Sequence, residues 1–279
     1  MPERLLFYRS GNGSAATATM SANALHISVD HTPDTLPRDW QIMAGSPKDS
    51  TVMFYNRGSR SAEVGHLESQ DFQAPGVSGV VYVTDKRFPS GSFSEWSHIM
   101  WRLDKKPLFY ESLSGAGALG FDPPKKIYPP GSFSTGWTHV LFAWWTANDF
   151  FYNAGNGAAA VEFDPPQRVY PPGSFSGGWT SIAAGPQSNN QDTLLFYNAN
   201  ARSGALARLG FNGDVSTIRS WGRDSFSFWT HVVGTSTGWL FYDHDSGRAE
   251  VAALNNDNLV GTPVNLSPGF THISRVGRP

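Results

Sequence analysis

The chain has 279 residues, a formal charge of −2 and only 16% charged residues, well under the roughly 25% of an average domain. Lys and Arg occur in isolated pairs such as Lys105-Lys106 and Lys125-Lys126, so the electrostatic footprint of a nucleic-acid binder is missing. The absence of cysteine excludes a disulfide framework, a thiolate metal site and a Cys nucleophile.

The N-terminal "MPERLLFYRS" lacks a basic region followed by an apolar one, and nowhere do 18 apolar residues run together. No membrane insertion is expected, and the protein is expected to be cytoplasmic or released without a signal peptide. Aromatics at 14%, with 29 glycines and 19 prolines, describe a strand-rich, turn-rich chain.

Taken in chain order, the sequence says one thing six times. An apolar-Phe-Tyr triplet recurs, with its tyrosine at Tyr8, Tyr55, Tyr110, Tyr152, Tyr197 and Tyr242, spaced by 47, 55, 42, 45 and 45 residues. It alternates with an aromatic-x-polar-apolar tetrad: "WQIM" at Trp40, taken as shifted in frame by one, "WSHI" at Trp96, "WTHV" at Trp137, "WTSI" at Trp179, "WTHV" at Trp229 and "FTHI" at Phe270. After each tyrosine comes a turn rich in Gly, Asn, Asp and Ser, then a small residue. Short segments such as "KKIY", "QRVY" and "VSTI" lead into Pro- and Ser-rich connections, and Phe121–His139 ("FDPPKKIYPPGSFSTGWTH") is nearly repeated at Phe163–Ser181. The prolines suit a connection that offers no ladder partner for their missing N–H, and the Phe is expected to wedge between units.

Four short strands in a unit of about 45 residues make the blade of a β-propeller. The expectation is therefore an all-β, six-bladed β-propeller of four-stranded blades, one domain over residues 1–279. The chain would start at the second strand of a blade (Arg4 to Arg9) and stop after an innermost one (Phe270 to Arg275). The C-terminal strand would then pair with the N-terminal blade and close the ring.

Three sets of residues are candidates for function. His98, His139, His231 and His272 hold equivalent places in four tetrads, with Gln41 or its neighbour and Ser181 in the other two. These imidazoles could converge near the axis on a transition metal, or each could bond a backbone carbonyl of the adjoining blade. Trp221, with Arg219, Arg223 and Asp224, could offer a sugar an aromatic plate flanked by charged hydrogen-bonding groups, and Trp101 with Arg102 and Asp104 makes a weaker version. Burial between blades is the competing fate for both tryptophans. The polar residues after each tyrosine, Arg9, Asn56, Glu111, Asn153, Asn198 and Asp243, could line one pocket per blade or cap a turn. No nucleophile elbow, zinc-protease, phosphate-loop or dinucleotide motif is present.

The series of "LLFY…GxA…W[ST]HI" units resembles the propeller lectins, the six- and seven-bladed bacterial and fungal fucose-binding type, and more loosely the tectonin-type recognition proteins. The resemblance implies sugar-binding pockets between adjacent blades that combine an aromatic with Arg and Glu or other polar groups; the leading reading is thus a non-catalytic lectin with glycans or glycoconjugates as partners and no cofactor. Trp221, Arg219 and Arg223 fit that pocket best in the sequence, and no Trp-Arg-Glu set recurs in all six units. The alternative reading is an enzyme that uses the central funnel with a metal held by the four histidines.

Overall fold

A computed structural model describes residues 3–71 and 78–277. Twenty-four strands form six antiparallel sheets of four, and no helix occurs among the described residues. Blade 1 combines Glu3–Arg9, Ser14–Ser21 and Ala24–His31 with the C-terminal strand His272–Val276. Blades 2 to 6 begin at their innermost strands, Ile42–Gly45, His98–Trp101, His139–Ala143, Ser181–Ser188 and His231–Gly234. The six innermost strands touch one another in sequence around a ring, which the C-terminal strand closes by pairing Tyr8 with His272 and Arg4 with Val276. The six-bladed propeller with mixed-terminus closure is thus the observed fold, and closure leaves each blade only its outer edge.

Each second strand is buried on both faces, because a blade packs between two others. The four residues ending in the anchor tyrosine are less than 4% exposed in the first blade (Leu5 to Tyr8) and in the fifth (Leu194 to Tyr197) alike. Alternation along a strand then sends the Phe of each triplet toward the preceding blade and the Tyr toward the following one. Phe151 accordingly joins the core between blades 3 and 4, and Tyr152 the core between blades 4 and 5.

The tyrosine hydroxyl explains why the unit repeats Tyr and not Phe. Its O–H donates to a backbone carbonyl of the linker to the next blade, Pro37, Ser94, Ser134, Ser176, Ser227 and Ser267 in turn, at 2.6–3.0 Å. In five blades it also accepts the N–H of the tetrad aromatic, from Trp229 at 2.9 Å to Trp137 at 3.4 Å. The linker Phe packs beneath this clamp, as expected: Phe133 lies 5.9 Å from Tyr110 and 6.2 Å from Phe151. Gly117, opposite Tyr110, makes the space, since a Cβ there would come within 2.5 Å of the Phe133 ring.

The duplicated Phe-Asp-Pro-Pro has the same kind of cause. Phe163 packs edge-on against Tyr128, 5.7 Å away, and Phe121 against Phe88 at the same distance. Asp164 pairs with Lys126 and accepts the Tyr128 hydroxyl at 2.8 Å, while Asp122 pairs with Lys86, so each turn is tied to the outer strand of the preceding blade.

Tyr110→Phe should keep the ring packing but leave the Ser134 carbonyl without its donor, at a cost of about 1–3 kcal/mol. Urea unfolding of the two proteins checks this, and equal midpoints would show that the clamp contributes nothing.

Candidate functional site

The four histidines do not converge. The Nε2 atoms of His98, His231 and His272 lie 2.9–3.1 Å from the carbonyls of Thr138, Thr271 and Gln41, each on the next blade around the ring, and His139 faces Thr180 in the same way. Each Nδ1 lies 2.8–2.9 Å from the hydroxyl of the preceding Ser or Thr. With Nε2–H donating to a carbonyl of the next blade and Nδ1 set against a hydroxyl of its own, each imidazole locks two blades in phase. No three His, Asp or Glu side chains among the described residues are close enough to share a metal ion. Register places Ile42, not Gln41, in the histidine position of blade 2, opposite Tyr55, so the Trp40 tetrad is in frame. Burial pushes all four imidazoles below the ordinary histidine value, partly offset by the backbone carbonyls.

One side chain spans the central channel. Arg275, on the innermost strand of blade 1, crosses the axis to blade 4, where its guanidinium lies 3.0 Å from the ring centre of Trp144. Glu3 holds it from behind at 2.6 Å.

Trp101 meets the competing fate. It is 6% exposed, and its indole N–H donates to the carbonyl of Ala44 at 2.9 Å, fastening blade 3 to blade 2. The plate expected there is core. Arg102 turns the other way, with its Nε 3.3 Å from the wholly buried Asp149 and its guanidinium 5.2 Å from the ring centre of Phe163. Trp221 ends the outer strand of blade 5, half-buried, edge-on to Phe226 and with Arg219 lying 5.6 Å over its ring. Arg223 and Asp224 are exposed beside it, and Asp224 is tied to Arg202. The structure thus brings Trp221 and Arg219 together on the rim, on a face that Arg219 and Phe226 already share.

A larger concave site lies elsewhere, between blades 2 and 3. Phe93, Trp96, Phe109 and Phe121 floor a cavity of about 660 Å³, walled by Pro123, Pro124, Pro129 and Pro130. At its mouth Arg57 donates to Glu95 at 3.1 Å and stands 3.9 Å from Glu111. Burial pushes the Glu111 carboxyl up, but the N–H groups of Leu113 and Ser114 outweigh it and hold the group below its ordinary value, so it stays ionised. Glu111 therefore both caps its turn and lines the groove, and Asn56, Asn153 and Asn198 cap theirs in the same manner.

The equivalent position recurs between every pair of blades, and side chains decide how it is filled. Two positions on each third strand face the preceding blade: Ser14 and Ala16, Ser61 and Glu63, Ala116 and Ala118, Ala158 and Ala160, Ser203 and Ala205, Arg248 and Glu250. Between blades 1 and 2 the buried Glu63 fills the space with Thr84 and Arg87 as partners, and between 5 and 6 Arg248 and Glu250 fill it. Between blades 3 and 4 the alanines leave about 310 Å³.

Sequence reasoning missed Arg57 and Glu95 as site residues and Asp149 altogether. The available signal was departure from the repeat. Glu95 precedes its tetrad Trp where Gly136, Gly178 and Gly269 stand in other units, and Asp149 takes a place that is Leu5, Val52, Pro107, Leu194 and Trp239 elsewhere.

No family model matches the chain, and no curated protein does either. Solved structures do. The chain is similar to one from a nidogen/laminin complex, at 11% identity over 98% of both chains with a TM-score of 0.58. A 6-phosphogluconolactonase-like protein of Bacteroides fragilis shows 10% identity over 99% and 98%, TM-score 0.57. Virginiamycin B lyase of Staphylococcus aureus shows 10% over 94% and 85%, TM-score 0.50. None of these three is a lectin, and at such identities the likeness establishes the six-bladed propeller and nothing finer.

Because burial lowers the four histidines, their contribution is present above the ordinary histidine value and is lost as pH falls through the folded one. His231→Ser, which copies Ser181 of blade 5, should therefore flatten the acid-side fall of the melting temperature. An unchanged pH profile would remove the imidazoles from ring stability. Asp149 has the opposite sign: burial raises it well above the ordinary carboxyl value, with Arg102 opposing, so its stabilising protonated form is lost as pH rises. The melting temperature of Asp149→Asn relative to the native chain should accordingly climb from acid to neutral pH, and a flat difference would contradict the buried charge.

Proposed function

We propose that the protein is a carbohydrate-binding propeller whose principal site is the groove between blades 2 and 3. The observation that carries the reading is the aromatic floor of Phe93, Trp96 and Phe121 set beneath an Arg57–Glu95–Glu111 rim. A sugar ring has an apolar C–H face that an aromatic floor desolvates, and hydroxyls that donate to carboxylates and accept from a guanidinium. An aromatic with Arg and Glu between adjacent blades is also the combination that the resemblance to propeller lectins implies, and between blades 2 and 3 it surrounds an open groove.

The smaller groove between blades 3 and 4 repeats the floor with Phe133, Trp137, Phe151 and Phe163 and offers Asn153 and Thr135 at its rim. Two neighbouring grooves on one rigid ring allow a branched or repeating glycan to gain avidity of about 10² to 10⁴ without new contacts. The rim of Trp221 and Arg219 is a further sugar-facing surface in this reading. A funnel enzyme draws no comparable support, since the imidazoles are turned to the neighbouring blades and Arg275 is engaged across the axis by Trp144.

A glycan array of the purified, chelator-treated protein tests the proposal, with Glu111→Gln and Trp221→Ala in parallel. Saturable binding that weakens about tenfold or more in Glu111→Gln, the loss expected for a charged hydrogen bond, is the expected result. Binding lost only in Trp221→Ala would move the site to blade 5, and a silent array would overturn carbohydrate binding.

A further inference from the structure

We propose that the groove between blades 2 and 3 is built for a protonated amine, held over Trp96 and between Glu95 and Glu111. Resting on the carbohydrate reading, this makes the ligand class the amino sugars, as opposed to neutral ones.

The ring itself shows what occupies such a place. In the groove between blades 5 and 6, the guanidinium of Arg248 lies 4.8 Å over Trp229. In the groove between blades 6 and 1, that of Arg9 lies 3.9 Å over Phe270. Trp229 and Phe270 are the tetrad aromatics of their blades, as Trp96 is of blade 3, so in two of six equivalent grooves the chain lays a cation of its own on this plate. An aromatic face attracts a cation through its quadrupole, and the more strongly as the site is desolvated.

The groove between blades 2 and 3 keeps the plate and lacks both plugs. Arg248 precedes the residue paired with Tyr242, and Ala116 precedes the residue paired with Tyr110, so Ala116 stands where Arg248 stands and leaves the space over Trp96 open. Arg9 follows Tyr8, and its counterpart after Tyr110 is Glu111, the opposite charge. Glu95 adds a second carboxylate at the residue before Trp96. Arg57 is drawn to the mouth by these two groups, where its bond to Glu95 holds it. A cation in the groove would thus find the aromatic plate used twice elsewhere in the ring and two carboxylates against one guanidinium. The groove between blades 3 and 4 lacks that rim pair, with Asn153 for Glu111 and Gly136 for Glu95.

The test is calorimetric titration of the intact protein with a β-linked glucosamine tetramer and, separately, with the N-acetylated tetramer of the same length, in mildly acidic low-salt buffer. The two share their ring faces and linkage and differ at nitrogen, a protonated amine against a neutral acetamide, and the Glu111→Gln variant isolates the charge from the acetyl group. The free-amine tetramer should bind at least about tenfold more tightly, and Glu111→Gln should erase that preference. Ala116→Arg, which supplies blade 3 with the plug of blade 6, should abolish binding while a thermal melt shows the ring intact; if it fails to fold, Glu111→Gln carries the test alone. Equal binding of the two tetramers, or tighter binding of the acetylated one, overturns the cation inference and leaves the carbohydrate reading standing. Binding of arginine amide with neither tetramer bound supports the cation site and overturns its assignment to amino sugars. No binding of any of the three overturns the cation inference, and the glycan array then decides the carbohydrate reading separately.

Discussion

The hydroxyl of the anchor tyrosine is the interaction on which the rest of the ring depends. It sits near the C-terminal end of a strand buried on both faces, donates to the linker that leads to the next blade and, in five of six blades, accepts the N–H of the aromatic that opens it. A hydroxyl can do both at once, which no apolar side chain can. One atom thereby fixes the linker, the linker Phe and the tetrad aromatic relative to the preceding blade. The imidazoles add a second lock at the same level, carrying a donor from one inner strand to the carbonyl of the next. Phenylalanine in the anchor position would fill the space but leave both linker groups unbonded in a buried place, which is the expensive way to remove a hydrogen bond.

The same geometry produces the grooves. A linker pinned by its tyrosine cannot collapse onto the third strand, so space remains over the alanines of blades 3 and 4. Six such positions are a consequence of sixfold repetition and need no functional cause. What the chain places in them is the informative part. Glu63, Arg9, Arg248 and Glu250 occupy three of the six, whereas alanines at 116, 118, 158 and 160 keep two neighbours open. Filling by ionisable side chains is a costly way to stop a gap, because each must be hydrogen-bonded or paired once out of water. Glu63 meets that requirement with Thr84 and Arg87, and Arg9 with Ser14 and the carbonyl of Pro268. The uneven filling also accounts for the lack of one pocket recurring in every blade.

The residues that attract the eye in the sequence are not those that form the groove. Trp101 looks like an exposed plate beside Arg102 and Asp104, yet its indole is core and its N–H is spent on Ala44. The four histidines look like a metal set because they are equivalent, but equivalence around a ring means pointing to the next unit, not to a common centre. Arg57 and Glu95, 38 residues apart, carry no motif at all. They meet because one lies in a hairpin turn of blade 2 and the other in the linker that passes over it.

The sequence by itself determined the number of blades, their four strands, the closure of the ring by its two ends and the wedge role of the linker Phe. Each of these follows from a local pattern repeated six times, where burial on alternate residues and turn chemistry leave few options. Only the tertiary structure decided where the imidazoles point, which tryptophans are core, and that Arg57, Glu95, Trp96 and Glu111 share one groove. The reason is physical: side chains from adjacent blades are brought together by the ring angle and by the tyrosine clamp, and neither leaves a mark on the spacing of residues along the chain.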